Sequence, residues 1–416
     1  MNLLKFFTAG SVDDGKSTLI GRLLYDTDSI LADQLEALQQ SNRKNDDGSI
    51  DLAILTDGLR AEREQGITID VAYKYFQTAK RKFIIADTPG HIQYTRNMVT
   101  GASTAKLAII LIDSRNGVVE QTIRHSYLVS LLGIEHVVVC LNKMDMIDYS
   151  ETVFDAIVER YKLLASDLGL KDVTFIPVSA LKGDNVVNES ENMPWYQGTS
   201  LLHFLETVDV EVGPDYNLAR MPVQWVVRPQ TDELHDYRGY AGRVLSGAFS
   251  VNDKVTVLPS GSTSVIERIE IFDQRPQEVV AGQSVTLHLR DNIDISRGDV
   301  LVNSNHLPQS SQLIEADVCW MDSRPLDESI TYLLQHNSKV TKCKIREIVY
   351  KVDINTLEKQ PAYDFKLNDI GRVILKTADS LPFDFYTENK ANGAVILIDS
   401  RTNLTAAALM FRAVAD

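Results

Sequence analysis

The stretch Gly10-Ser11-Val12-Asp13-Asp14-Gly15-Lys16-Ser17-Thr18 fits the pattern G-x-x-x-x-G-K-[ST] in full, and its reading decides the fold. The apolar run Leu3–Thr8 before it predicts a buried strand, and Leu19-Ile20-Gly21-Arg22-Leu23-Leu24 after it predicts the start of a helix. In a strand–loop–helix setting the glycines let the backbone curl so that successive N–H groups point at phosphate oxygens. Lys16 then reaches the β- and γ-phosphates, and Ser17 offers a hydroxyl to Mg²⁺. The stretch therefore reads as a cradle for a nucleoside triphosphate.

Working outward, residues 1 to about 212 alternate short apolar runs with helical patterns, the signature of βαβ units and a mostly parallel sheet. The predicted strands are Leu3–Thr8, Lys82–Asp87, Leu107–Asp113, His136–Asn142 and Thr174–Val178, with helices at Gln121–Leu132 and Thr152–Leu168. A first linker is expected at Glu211–Asp215, where glycine and proline follow an amphipathic segment around Leu201–Glu206. From Met221 to Val302 alternating segments punctuated by Gly, Asn, Asp and Pro predict a small β-barrel. A second β block runs from Leu313 to the end, after a break near Leu307–Ser311. The expected domains are thus 1–213, 214–307 and 308–416.

Three further boxes fall at predicted strand ends. Asp87-Thr88-Pro89-Gly90-His91 delivers a carboxylate for Mg²⁺, a Gly90 N–H for the γ-phosphate, and His91 to orient an attacking water. Asn142-Lys143-Met144-Asp145 supplies Asp145, which can accept both the N1–H and the exocyclic amine of guanine. Adenine lacks that donor pair, so the base is read as guanine. Lys143 would lie along the base plane, and Asn142 would tie this loop to the phosphate loop. Ser179-Ala180-Leu181 matches the last guanine box, where a backbone N–H meets the base carbonyl. Between the phosphate loop and Asp87, Thr68 lies in Glu62–Asp70, placed to complete the Mg²⁺ shell only while the γ-phosphate is present. The ligands expected are GTP and Mg²⁺, the metal held through Ser17, Thr68 and Asp87.

Composition narrows the class. Forty-two Lys plus Arg against 57 Asp plus Glu give a net charge of −15, which argues against broad nucleic-acid binding. Apolar runs are strand-sized, well short of the roughly 20 residues of a membrane span, and no leader precedes the first strand, so a cytoplasmic protein is expected. Cys140, Cys319 and Cys343 lack metal or disulfide spacing and read as small core residues. The histidines outside the boxes, and Trp195, Trp225 and Trp320, read as structural.

These boxes, in this order and with a Gly-Ile-Thr-Ile switch at Gly66–Ile69, resemble the translation-factor superfamily of GTPases, whose members carry two β-barrels after the GTPase domain. Within it the sequence is most similar to the family of large GTPase subunits of bacterial sulfate adenylyltransferase. The marks are Asp14 where elongation factors usually carry His, YTRNMVTGAS at Tyr94–Ser103, RDNIDISRGDV at Arg290–Val300, WMDSRPL at Trp320–Leu326 and GAVILIDSRTN at Gly393–Asn403. Ile92, Phe385 and Lys390 depart from the family pattern. The resemblance implies that GTP hydrolysis here drives a small catalytic subunit, in a heterodimer or higher assembly, which joins ATP and sulfate into adenylylsulfate and pyrophosphate. It also implies no fused adenylylsulfate kinase, since no second phosphate loop occurs. The competing reading is a translation elongation factor delivering aminoacyl-tRNA.

Overall fold

The structure, a computed structural model, describes residues 2–30, 52, 70–90, 95–210, 218–229 and 237–416. Thr68, His91, Ile92 and the linker at Glu211–Asp215 lie outside the described residues. The chain forms two compact units, Met1–Glu211 with Ile354–Thr356, and Val212–Asp353 with Leu357–Asp416.

The first unit is built on a six-stranded sheet of β1 (Asn2–Ala9), β2 (Ala72–Gln77), β3 (Arg81–Asp87), β4 (Leu107–Asp113), β5 (His136–Asn142) and β6 (Asp172–Pro177), in the order β2-β3-β1-β4-β5-β6. All pairs are parallel except β2–β3. Among the described residues its α-helices are α1 (Lys16–Asp26), α2 (Thr95–Ala102), α3 (Glu120–Leu131), α4 (Glu151–Asp167) and α5 (Leu201–Thr207). Every residue of β4 is buried, as a central parallel strand requires. Edge strand β2 is mostly exposed, with only Phe76 buried and stacked on Phe83 at 4.4 Å between ring centroids. Phe6, Leu19, Ile20, Leu23, Ile85, Ile109 and Val138 meet in the core beneath α1. Each such side chain contributes about 1.5–3 kcal/mol by burial. Because β3 and β4 lie on opposite sides of β1, the loop after β1 opens at the point where the strand order reverses, the usual ligand crevice of such sheets.

The second unit holds two β assemblies. The first is a closed barrel of β7 (Arg220–Val227), β8 (Gly239–Arg243), β10 (Lys254–Leu258), β11 (Ser262–Glu270), β13 (Ser284–Leu289) and β14 (Val300–Asn303), with a side ribbon of β9 (Ala248–Ser250) and β12 (Glu278–Val280). The second comprises β15 (Gln309–Trp320), β16 (Tyr332–His336), β17 (Lys339–Val352), β18 (Lys359–Gln360), β19 (Ile370–Phe383), β20 (Ala394–Ile398) and β21 (Thr405–Val414). It closes through the β16–β17 pairing, and the short helix α6 (Lys390–Gly393) precedes β20. The expected break at Leu307–Ser311 needs correction. Gln309, Ser310 and Ser311 already pair with Phe383, Pro382 and Leu381, so the connection is shorter than the sequence indicated.

Within this unit, Arg220 of β7 and Asp384 just after β19 form a buried ion pair. Asn389 and Asn392 donate further hydrogen bonds to Asp384, at 2.9 and 3.0 Å. Trp320 is buried as expected, whereas Trp225 departs from its predicted packing role and is 66% exposed on β7.

Candidate guanine-nucleotide site

The phosphate loop takes the form its glycines allow. Gly15, capping α1, has φ +93°, a left-handed conformation that L side chains rarely adopt. A Cβ there would lie 2.3 Å from Asn142 Nδ2. Asp13 is also left-handed, at φ +64°, and Asp14 Oδ2 accepts a 2.5 Å hydrogen bond from the Ser11 N–H. Burial raises the Asp14 carboxyl above its ordinary range and lowers the Lys16 ammonium. Lys16 Nζ donates to the carbonyls of Gly10 and Ser11, at 2.8 and 2.9 Å. The lysine thus holds its own loop, and Ser11 Oγ is buried with no hydrogen-bond partner among the described residues.

Strand register brings the second box beside the first. Thr8 of β1 pairs with Asp87 of β3, Thr8 Oγ1 donates to Asp87 Oδ1 at 3.3 Å, and Thr88 Oγ1 donates to the Thr8 carbonyl at 2.6 Å. Gly90 passes so close to the phosphate loop that an added Cβ would lie 2.5 Å from Lys16 Nζ and 2.6 Å from the Gly10 carbonyl. Pro89 stands between Thr88 and Gly90, all buried.

The base boxes follow β5 and β6. Asn142 Nδ2 donates to the Asp14 carbonyl at 2.7 Å, and Asn142 Oδ1 accepts from the Ala180 N–H at 2.9 Å. One side chain therefore joins the phosphate loop to both base boxes. Ser179 Oγ donates to Asp145 Oδ1 at 2.6 Å, and the Met144 N–H donates to the Val178 carbonyl at 3.2 Å. From α1, Arg22 donates to the carbonyls of Ala180 and Leu181, at 3.2 and 2.6 Å.

Three participants, Arg22, Asp113 and Arg115, had no sequence signal. Lys143, left-handed at φ +64°, places Nζ 3.0 Å from Asp113 Oδ2. Burial pushes the Asp113 carboxyl up, but hydrogen bonds from Arg115 and Lys143 prevail and hold it down at about 2. The residue pattern gave no warning of this cluster because Asp113 ends an apolar strand and belongs to no box.

Ser17, half-buried, and Asp87, 1% exposed, offer a hydroxyl and a carboxylate, the hard oxygen donors that Mg²⁺ prefers. Among the described residues no three His, Cys, Asp or Glu side chains converge. This donor set fits a cation that takes its remaining ligands from phosphate and water.

A parallel sheet with the phosphate loop after β1 and guanine-type boxes after β5 and β6, on a chain continuing into two β assemblies, defines a GTPase of the elongation-factor class. The pattern of the elongation factor Tu GTP-binding domain matches residues 1–222, and that of the GTP-eEF1A C-terminal domain-like family matches 313–411. The chain is 53% identical to sulfate adenylyltransferase subunit 1 of Bacteroides fragilis over 98% of its own length and 85% of that protein. It is 50% identical to the bifunctional enzyme CysN/CysC of Mycobacterium tuberculosis, over 98% of this chain and 67% of that one. The fold is that of the Saccharomyces cerevisiae Ski7 GTPase-like domain solved with GTP, at TM-score 0.52 and 18% identity, covering 99% and 97% of the two chains. The chain belongs to the sulfate adenylyltransferase subunit 1 family.

Proposed function

We propose that this chain is the GTPase subunit of a sulfate adenylyltransferase, whose GTP hydrolysis drives formation of adenylylsulfate and pyrophosphate from ATP and sulfate in a separate small catalytic subunit. The supporting observation is Asn142, which joins a phosphate loop to two base boxes in a chain 53% identical to a sulfate adenylyltransferase subunit 1. Nothing comparable favours delivery of aminoacyl-tRNA, and that reading is set aside. No helix among the described residues is long and apolar enough to cross a membrane.

In the proposed cycle Lys16 exchanges the Gly10 and Ser11 carbonyls for phosphate oxygens, and the N–H groups of Asp13 to Thr18 line the phosphates. Ser11 Oγ, with no hydrogen-bond partner among the described residues, gains one. Asp145, oriented by the Ser179 hydroxyl at Oδ1, reads N1–H and the exocyclic amine with its carboxylate. Ser17, Asp87 and Thr68 are the proposed Mg²⁺ contacts, the ion serving to neutralise charge developing on the transferred phosphoryl group. His91 is proposed to orient the attacking water.

Joining sulfate to AMP makes a mixed anhydride, an uphill step, and hydrolysis of GTP is the downhill step coupled to it. The test is GTP hydrolysis by the chain alone, then with the partner subunit, ATP and sulfate added in turn. Stimulation only when all are present, with adenylylsulfate formed, is the expected result. Co-purifying tRNA and no response to sulfate would overturn the proposal.

A further inference from the structure

Resting on the guanine-site reading, we propose that Asp113 is a positioning residue of that site, anchoring Lys143, and that Arg115 is a nucleotide contact at its base and ribose end. The placement begins with strand register: Asp113 pairs with Asn142 at the carboxyl ends of β4 and β5, so the last residue of β4 lies beside the turn that carries Lys143 and Asp145. The Ser114 N–H donates to the Asn142 carbonyl at 2.9 Å and extends that pairing one step further.

The Asp113 side chain is 2% exposed and bridges two cations. Its Oδ2 is 3.0 Å from Lys143 Nζ and 2.6 Å from Arg115 Nη2. Its Oδ1 accepts from the Arg115 backbone N–H and from Nε, both at 3.0 Å. Lysine is a point charge on a flexible four-carbon stem, and a buried anchor for its ammonium fixes the course of that stem. The stem then forms a straight apolar rail for the flat face of a base. Without Asp113 the same lysine would sample many rotamers and lose them on binding.

Arg115 is held differently. Its guanidinium is pinned along one edge by the carboxylate, leaving Nη1 without a hydrogen bond among the described residues, and its side chain is 41% exposed. The carboxylate that pins it also holds Lys143, two positions before Asp145 in the chain. A planar, pre-oriented donor anchored on the same carboxylate as the base-box lysine suits a sugar hydroxyl, a ring oxygen or the edge of a purine. The four charged groups gathered here, Asp113, Asp145, Lys143 and Arg115, sum to no net charge, and both cations sit on Asp113.

A purely structural ion cluster would alter stability and leave nucleotide affinity alone, whereas this arrangement acts at the end of the nucleotide that GTP and GDP share. In the full chain, equilibrium binding of fluorescently labelled GDP, and GTP competition against it, would be measured for Asp113→Asn and Arg115→Ala. The expected result is about tenfold weaker binding for the first and about threefold for the second, by the same factor for both nucleotides. Unchanged affinity in both, or a loss confined to GTP, would overturn the proposal. Should Asp113→Asn fail to fold, the half-exposed Arg115 carries the same test. Asp145→Asn serves as the control. If it abolishes GTP preference while the other two bind normally, only this inference fails. If it also binds normally, the guanine-site reading itself is wrong.

Discussion

Arg220 and Asp384 meet fork to fork in the interior of the second unit, Nε to Oδ2 at 3.0 Å and Nη2 to Oδ1 at 2.9 Å, though 164 positions separate them in sequence. Both side chains are at most 5% exposed, and Asn389 and Asn392 each donate a further hydrogen bond to Asp384 Oδ2. Such a pair contributes little net stability relative to an apolar isostere, but half of it is costly to keep.

Replacing Asp384 by Asn leaves a guanidinium buried without its counter-charge. The expected loss is about 3–5 kcal/mol in urea unfolding of the second unit. Arg220→Met with Asp384→Leu removes both charges and should recover most of that loss. A double variant as unstable as Asp384→Asn would show that geometry, and not the stranded charge, sets the cost.

Gly15→Ala adds a methyl to a position at φ +93° and directs it at the Asn142 amide, 2.3 Å away. That amide is committed on both sides, so it has no cheap way to yield. Strain of about 1–3 kcal/mol is expected there, read as GTP binding weakened at least tenfold by isothermal titration. Normal affinity would mean that the loop takes up another form when occupied.

Asp145→Asn should move base preference from GTP toward XTP, because an amide can pair with the xanthine carbonyl that replaces the exocyclic amine. Competition of the two nucleotides for the variant measures it. Continued rejection of XTP together with undiminished GTP binding would contradict the base assignment.

His336 is buried, and its ring donates through Nε2 to the Asn392 carbonyl at 3.0 Å. Burial is the main influence and lowers its pKa to about 4, against about 6.5 in an unfolded chain. The unfolded state therefore binds a proton first as pH falls. The stabilisation is whole above about pH 6.5 and is lost progressively toward pH 4, on the order of 3 kcal/mol when complete. Melting temperatures of the parent and His336→Gln measured between pH 7.5 and 4 test this. The parent should lose its advantage in that window, and parallel curves would refute the assignment.

The parallel sheet was legible because its central strands are unbroken apolar runs, such as Leu107–Ile112, that end at chemical boxes. Edge strand β2, Ala-Tyr-Lys-Tyr-Phe-Gln, was not read, since it buries only Phe76 and carries no regular apolar alternation. Strand β21 hid behind Ala406, Ala407 and Ala408, residues that favour helices and become strand only because β15 and β20 flank them. Ribbon strands β9 and β12 are three residues each, below the length at which a pattern exists. In the site, Asn142 as the tie between loops was readable from its box. Asp113 was not, because its role depends on which residue faces it across two strands, and register is invisible in a single sequence.

Asn142 also has a kinetic meaning. Its two amide atoms clasp the phosphate loop on one side and the base loops on the other. Letting go of the base while leaving the phosphate loop undisturbed then costs the two hydrogen bonds of this amide, about 1 kcal/mol each. Loosening one end therefore weakens the other, through this carboxamide and through the Arg22 bonds from α1 to the Ala180 and Leu181 carbonyls.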